Sequence, residues 1–167
     1  MIQYVTGNIL ESNAQALVNT VNTQGVMGKG VALQFKNTFP SNYRRYAQAC
    51  KDRTLSIGNL LLTKESNLNS GDKLIINFPT KNEWRKPSEY SYIEKGLDAL
   101  VCVIKENEIK SIALPPLGSG NGGLKWERVK QLIEEKLSVL SGVDIYIYEP
   151  SLEIKEVLKM ERSKLTA

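Results

Sequence analysis

The apolar and polar positions of the chain alternate between strand patterns and helix patterns. Segments rich in β-branched residues predict strands at "IQYVT", "ALVNTV", "IGNLLLT", "KLIINF", "SIALPPL" and "VDIYIYE". Apolar residues at helical spacing predict helices at "VALQFKNTF", at "SNYRRYAQACK", after the capping-box pair Ser91 and Glu94, and over residues 124–140. Strands that alternate with helices are typical of α/β proteins. We therefore expect an α/β fold with a layered sheet.

Two glycine-rich loops each follow a predicted strand and precede a predicted helix. They are "GVMGKG" at residues 25–30 and "GSGNGG" at residues 118–123. Ligands of open α/β sheets bind beyond the carboxyl ends of the strands, and free N–H groups at helix N-termini suit phosphate. The two loops are thus predicted to hold one diphosphate. The alternative is that each loop is only a tight turn, since neither the P-loop pattern nor GxGxxG occurs at residues 25–30.

Two asparagines end the apolar strand that leads into the first loop. Asn19 and Asn22 follow "ALV" and "NTV", where an apolar residue would be expected. A side-chain amide both donates and accepts hydrogen bonds, so it suits the hydroxyls of a sugar. The alternative is that the two side chains stabilise the turn itself.

The segment "NFPTKNEWRKPSEY" places an aromatic residue among cations. Trp84, Arg85 and Lys86 lie in a row after a predicted strand. Single-stranded nucleic acid is bound in this way, with bases stacked on aromatic rings and phosphates paired with cations. We therefore expect these three residues to contact single-stranded nucleic acid. The alternative is a buried Trp84 with a charged edge around it.

The composition of the chain excludes several kinds of catalytic and metal site but does not identify one. The chain has 167 residues, which suits one domain, and a net charge of +4, a mild bias toward anionic partners. It contains no histidine, which excludes a Ser-His-Asp triad, a Cys-His pair and an HExxH zinc site. The two cysteines, Cys50 and Cys102, are predicted to be buried thiols, and we expect no metal. The start of the chain has no signal-peptide pattern and no apolar run spans a membrane, so cytoplasm is the expected compartment.

The motifs "TGNIL", "ALVNTVNTQGVMGKGVA" and "LPPLGSGNGGLKW" together resemble the macrodomain family. The phrases "VNTVNTQGVMGKG" and "NFPTKNEWR" are most similar to the DarG antitoxin group, the DNA ADP-ribosyl glycohydrolases related to terminal ADP-ribose protein glycohydrolase. The resemblance covers residues 1–150 and implies a three-layer α/β/α sandwich with a mixed central sheet. For residues 151–167 we expect a C-terminal helix or a linker to a domain that is not part of this sequence.

The resemblance also implies a site for ADP-ribose and a catalytic lysine. Asn8 occupies the position where the family usually has an aspartate that contacts adenine, and Asn22 would face the distal ribose. Gly122 occupies the position where terminal ADP-ribose protein glycohydrolase has a catalytic aspartate. Lys81, with Asn22, would be catalytic, either as a neutral amine that attacks C1 of the distal ribose or as a charge that stabilises the leaving group. The alternative for Lys81 is a solvated surface lysine. The implied ADP-ribose-binding residues are Asn8, Ile9, Asn19, Asn22, Gly28, Lys29, Gly30, Val31, Leu117, Gly118, Ser119, Gly120, Asn121 and Gly122.

The function that this resemblance implies is hydrolytic removal of ADP-ribose from nucleobases of single-stranded DNA, which would reverse a DarT-like toxin. Two alternatives remain open: hydrolysis of protein-linked ADP-ribose or of O-acetyl-ADP-ribose, and non-catalytic ADP-ribose binding. The expected partners are ADP-ribosylated single-stranded DNA and a DarT-like toxin. We expect a monomer that needs no cofactor, with ADP-ribose as its ligand or product.

Overall fold

The computed structural model describes residues 1–67, residues 71–150 and residue 165. Within them the strands are β1 (Ile2–Val5), β2 (Ala16–Asn22), β3 (Leu61–Asn67), β4 (Gly71–Lys81), β5 (Ser111–Leu114) and β6 (Asp144–Tyr148). The helices are α1 (Gly30–Thr38), α2 (Pro40–Lys51), α3 (Tyr90–Glu106) and α4 (Trp126–Leu137), with a short 3-10 helix at Ile9–Glu11.

The strands form one mixed sheet in the order β1-β6-β5-β2-β4-β3. All neighbouring pairs are parallel except β3 and β4, which are antiparallel. Because β2, β4 and β5 run parallel, their carboxyl ends lie at one edge of the sheet. Both glycine loops and Lys81 follow or end these strands, so the sheet topology brings them to the same edge.

Helices cover both faces of the sheet. Helices α3 and α4 pack on one face, where Ile93, Leu97, Val129 and Ile133 meet strand residues such as Val18. Helix α1 covers part of the other face, where Phe35 and Phe39 meet Leu17 and Ile75. Helix α2 packs beside it, with Tyr46 against Val21. Neighbouring strand residues face opposite sides, which explains the unbroken apolar strands and confirms the α/β/α sandwich with a mixed sheet.

Several predicted boundaries are wrong. Strand β3 begins at Leu61 rather than at Ile57, and it ends at Asn67 rather than at Thr63. Strand β4 continues to Lys81 instead of ending at Phe78, so this lysine is the last residue of a strand. Helix α3 begins at Tyr90 after Glu89, and therefore the capping box at Ser91 does not exist. Cross-strand pairing explains the longer strands, because polar side chains are tolerated on a sheet edge.

The other sequence predictions on organisation have mixed outcomes. Cys102 is exposed and Cys50 is half-buried, so the prediction of two buried thiols is wrong. The last described strand ends at Tyr148, and the domain boundary at residue 150 stays a prediction. The expected helix or linker at residues 151–167 lies, apart from residue 165, outside the described residues.

Candidate functional site

The two glycine loops approach each other at the carboxyl edge of the sheet. Lys81 Nζ donates to the Asn121 carbonyl oxygen at 3.0 Å, which links the end of β4 to the second loop. A Cβ placed on Gly30, at the end of the first loop, would lie 3.4 Å from Asn121 Nδ2. The two loops thus lie side by side, and the surface where they meet, called the groove, includes Lys81.

The first loop leads into a helix N-terminus suited to an anion. Helix α1 begins at Gly30, whose φ of +58° is a conformation that glycine adopts without strain. No side chain of the described residues caps this helix, and its first turn contains no acidic residue. Val31 is half-buried, while Gly28 and Lys29 are exposed. The unpaired N–H groups of the first turn and the Lys29 ammonium together favour negative charge here.

The glycines of the second loop have different physical roles. A Cβ on Gly122 would lie 2.4 Å from the Gly118 carbonyl oxygen and 2.4 Å from Ser88 Oγ, so only glycine fits. A catalytic aspartate at this position would therefore require the loop to move. A Cβ on Gly120, in contrast, would meet no atom within 4 Å, and Gly120 is exposed. Gly120 is thus open toward the space where a ligand would lie.

The side chain of Asn22 is buried and orders the first loop. Its Oδ1 accepts hydrogen bonds from Gln24 N at 2.9 Å and Val26 N at 3.3 Å, and its Nδ2 donates to the Val26 carbonyl oxygen at 2.8 Å. The Tyr46 hydroxyl lies 2.7 Å from the Asn22 carbonyl oxygen and 2.9 Å from its Oδ1. These contacts stabilise the turn and use one of the two hydrogens on Asn22 Nδ2. The predicted contact with the distal ribose would use the other hydrogen.

Asn19 belongs to a buried network of amides below the first loop. Its Nδ2 donates to Asn77 Oδ1 at 3.4 Å, and Asn77 exchanges hydrogen bonds with Asn42 at 2.8 and 3.1 Å. Thr63 Oγ1 donates to Asn42 Oδ1 at 2.6 Å. The Asn19 side chain is 0% exposed, and its Oδ1 has no partner within residues 1–67 and 71–150. A direct contact between this side chain and a ligand would need an opening through Met27, the residue that covers it.

The other predicted contact residues divide into exposed and buried groups. Asn8 is exposed, and its Oδ1 accepts a hydrogen bond from Leu10 N at 3.0 Å, which caps the 3-10 helix. Ser119 is half-buried, and its Oγ donates to the Pro116 carbonyl oxygen at 3.1 Å. Ile9 and Leu117 are buried in the core, which leaves mainly their backbone for ligand contacts.

Lys81 makes two contacts with backbone carbonyl oxygens, and its surroundings lower its pKa. Besides Asn121, its Nζ also lies 3.4 Å from the Trp84 carbonyl oxygen. Partial burial lowers the pKa of Lys81, and the nearby charge of Lys29 lowers this pKa further. Its side chain is half-buried and joins the second loop to the Trp84 backbone, while its catalytic role stays a prediction.

The segment after Lys81 is tied to the first loop. Thr23 Oγ1 donates to the Asn82 carbonyl oxygen at 2.8 Å, and Trp84 N donates to Gln24 Oε1 at 3.0 Å. The Trp84 side chain is 39% exposed, so the alternative of a buried Trp84 is wrong. The Arg85 guanidinium stacks over its ring at 4.6 Å, and Lys86 forms an ion pair with Glu83 at 3.5 Å. An aromatic ring with an attached cation thus borders the groove.

Three further features of the described residues concern cavities, metal ligands and membrane spans. A cavity of about 340 Å³ between residues 11–14 and Tyr146 and Tyr148 is lined by none of the predicted site residues. Among the described residues, no three His, Cys, Asp or Glu side chains are grouped as metal ligands. No helix in the described ranges has the length and apolar character required to cross a membrane.

Several residues that support this site were not predicted from the sequence. Tyr46 lies in the predicted helix "SNYRRYAQACK", and its hydroxyl donates a hydrogen bond to the Asn22 carbonyl oxygen. Asn77 interrupts the apolar strand "KLIINF" as Asn19 interrupts β2, and the two are direct partners in the β2–β4 register. That shared signal, a lone amide in a buried strand, was available in the sequence. The roles of Gln24 and Ser88 depend on contacts between distant segments and had no sequence signal.

Comparisons with known proteins agree with this geometry. The family model described as "Macro domain" matches residues 18–133. A protein of Thermus aquaticus named DNA ADP-ribosyl glycohydrolase is 54% identical over 150 residues, which are 90% of this chain and 41% of that protein. The chain therefore spans less than half the length of this relative.

Solved structures show the same relationship. The macrodomain of Mycobacterium tuberculosis DarG is 50% identical, with a TM-score of 0.87 over 90% of this chain and 99% of that one. The structure of Thermosipho africanus DarTG in complex with ADP-ribose is 39% identical, with a TM-score of 0.85 over 91% of this chain and 42% of that one. Since the family model covers more than half of the chain and the sheet order is mixed with helices on both faces, the chain belongs to the macrodomain family.

Proposed function

We propose that this chain is a hydrolase that removes ADP-ribose from nucleobases of single-stranded DNA. The observation that carries the proposal is Lys81, fixed by Asn121 between two glycine loops and next to an exposed Trp84 with its stacked arginine. One side of the groove then suits a diphosphate and the other suits a base. The names of the relatives, DNA ADP-ribosyl glycohydrolase in Thermus aquaticus and in Mycobacterium tuberculosis, support the same substrate.

The reaction would proceed at C1 of the distal ribose. The diphosphate lies against the N-terminus of α1 and the open Gly120, which directs the distal ribose toward Lys81. In one form of the step, the neutral Lys81 amine forms a bond to C1 while the bond from C1 to the base breaks, and water then replaces the amine. In the other form, water attacks C1 and the Lys81 ammonium stabilises the charge on the departing base. Asn22 would hold the loop, and the reaction would need no metal.

The partner in the cell would be a DarT-like toxin that attaches ADP-ribose to DNA. A relative in Thermosipho africanus is named as a fusion of a DNA ADP-ribosyl transferase and a DNA ADP-ribosyl glycohydrolase, so the two activities occur in one chain there. The chain described here would act in the cytoplasm as a monomer and reverse such a modification. Light scattering of the purified protein tests the monomer.

The test is a release assay with two substrates. Single-stranded oligonucleotides carrying ADP-ribose on a base, and a protein carrying ADP-ribose on glutamate, are incubated with the chain, and free ADP-ribose is measured. We expect release from DNA, unchanged by a chelator. Release from protein alone would replace the proposed substrate, and binding of ADP-ribose without release from either would show a non-catalytic reader.

A further inference from the structure

The positive charge of this chain is concentrated in one segment. Residues 29–53 contain six of the 22 basic residues and one of the 18 acidic residues. The net charge of this segment, +5, exceeds the +4 of the whole chain, so the rest of the chain is close to neutral. The segment forms the end of the first glycine loop, α1 and α2. An anionic partner would therefore be attracted to this segment.

The cations of α2, and Arg53 just after it, are exposed. They are Arg44, Arg45 and Lys51 in the helix and Arg53 two residues beyond its end. In the part of the chain that the structure describes, the ion pairs involve Lys86, Lys130 and Lys136, and none of these four. Arg44 and Lys51 are seven residues apart, so they lie on the same side of the helix two turns from each other. Lys51 and Arg53 also complement the dipole at the helix C-terminus, but this does not explain Arg44 and Arg45.

Helix α2 runs toward the candidate site. Asn42, in its first turn, contacts Asn77 in the middle of the sheet. Tyr46, one turn later, reaches Asn22 at the carboxyl end of β2. Cys50, in the last turn, lies 3.8 Å from where a Cβ on Gly25 would be. The helix therefore ends against the first glycine loop, and that loop holds the Trp84 segment through Gln24.

We propose that the exposed face of α2, with Arg44 and Lys51 at its centre, binds the phosphates of the single-stranded DNA that flanks the modified nucleotide. This inference rests on the proposed function for the identity of the modified base. The DNA would cross from Trp84 and Arg85, over the first loop, onto α2. Such contacts are electrostatic, so they raise affinity for DNA without affecting ADP-ribose itself.

The experiment compares two double variants that remove equal charge. Arg44→Gln with Lys51→Gln changes the α2 face. Lys105→Gln with Lys110→Gln is the control, because both residues are exposed and lie near the start of β5, at the opposite edge of the sheet. Binding of a labelled, unmodified single-stranded oligodeoxynucleotide is measured by fluorescence anisotropy over a range of salt concentrations. Calorimetry with ADP-ribose alone and thermal unfolding show whether each variant keeps its site and its fold.

We expect the α2 variant to bind the oligonucleotide roughly tenfold more weakly, and its salt slope to fall by about 1.4, since each single-strand phosphate contact contributes about 0.7. ADP-ribose affinity and the control variant should match the wild type. Equal loss in both variants, an unchanged slope in the α2 variant, or no binding of DNA by the wild type would each overturn the inference. If the wild type binds DNA through α2 yet releases no ADP-ribose from it, the proposed function fails and the DNA-binding surface remains.

Discussion

At the scale of single residues, Lys81 combines position and chemistry. Its Nζ is 3.0 Å from the Asn121 carbonyl oxygen, and neither of its described contacts is a carboxylate. Lys81→Ala should keep ADP-ribose affinity, because the loops supply most contacts, and should slow release from DNA by at least about 100-fold. Single-turnover release and calorimetry measure the two effects separately. Near-normal release by Lys81→Ala would mean that Asn22 or the substrate itself carries out catalysis. Full activity of Lys81→Arg would mean that Lys81 acts through its positive charge.

The protonation state of the same residue predicts a pH dependence. Burial and Lys29 both lower the pKa of Lys81, so the neutral amine becomes populated at a lower pH than for a solvated lysine. If the amine is the nucleophile, kcat should rise with pH through this pKa. Lys29→Gln removes a neighbouring positive charge, which raises the pKa of Lys81 and should move the rising limb to higher pH. A rate that falls as pH rises through the same range would contradict a neutral amine.

At the scale of elements, the second loop contains a position where a substitution should affect ligand binding but not folding. A side chain on Gly120 would meet no protein atom within 4 Å. Gly120→Glu should therefore fold normally, yet weaken ADP-ribose binding by about 100-fold or more, since like-charge juxtaposition with the diphosphate costs several kcal/mol. Ser141→Glu, an exposed position near the start of β6, is the matched control. If calorimetry gives equal ADP-ribose affinities for Gly120→Glu and the wild type, the diphosphate does not bind at this loop.

Elements were predictable from sequence to different degrees. The strands before both loops followed from their unbroken apolar, β-branched runs, because both faces of the sheet are covered. The helix faces of Ile93 and Ile133 followed from periodicity, because burial on one side imposes it. The extension of β4 to Lys81 was not predictable, since it depends on pairing with β2 up to Asn22. The turn contacts of Asn22 were one of two interpretations of its sequence position, but its hydrogen bond from Tyr46 in α2 could not be predicted, because it joins distant segments.

At the scale of the whole molecule, the sheet and the α2 layer are joined by amides rather than by apolar packing alone. Asn77 in β4 links Asn19 in β2 to Asn42 in α2, and Thr63 in β3 donates to Asn42. These residues are almost fully buried. Buried amides bond only in defined geometry, so the network fixes the position of α2 against the strands that carry the site.

This network gives a stability prediction that separates fold from chemistry. Asn77→Leu removes the partners of Asn42 and Asn19 and should lower the free energy of unfolding by roughly 3 kcal/mol, since each buried polar group without a partner costs about 1–3 kcal/mol. Asn37→Leu, on the exposed side of α1, should change it by less than about 0.5 kcal/mol. Denaturant unfolding measures both.

The pair Asn42→Leu and Asn77→Leu shows whether the cost comes from unpaired amides. Because each single variant removes the two hydrogen bonds that Asn42 and Asn77 exchange and leaves the remaining amide only partly paired, the double variant should lose less stability than the sum of the two single variants. Oligonucleotide affinity of Asn77→Leu, measured well below its unfolding transition, should fall only if α2 has moved away from the first loop. Strictly additive losses, or an Asn77→Leu protein as stable as the wild type, would mean that apolar contacts alone hold α2 in place.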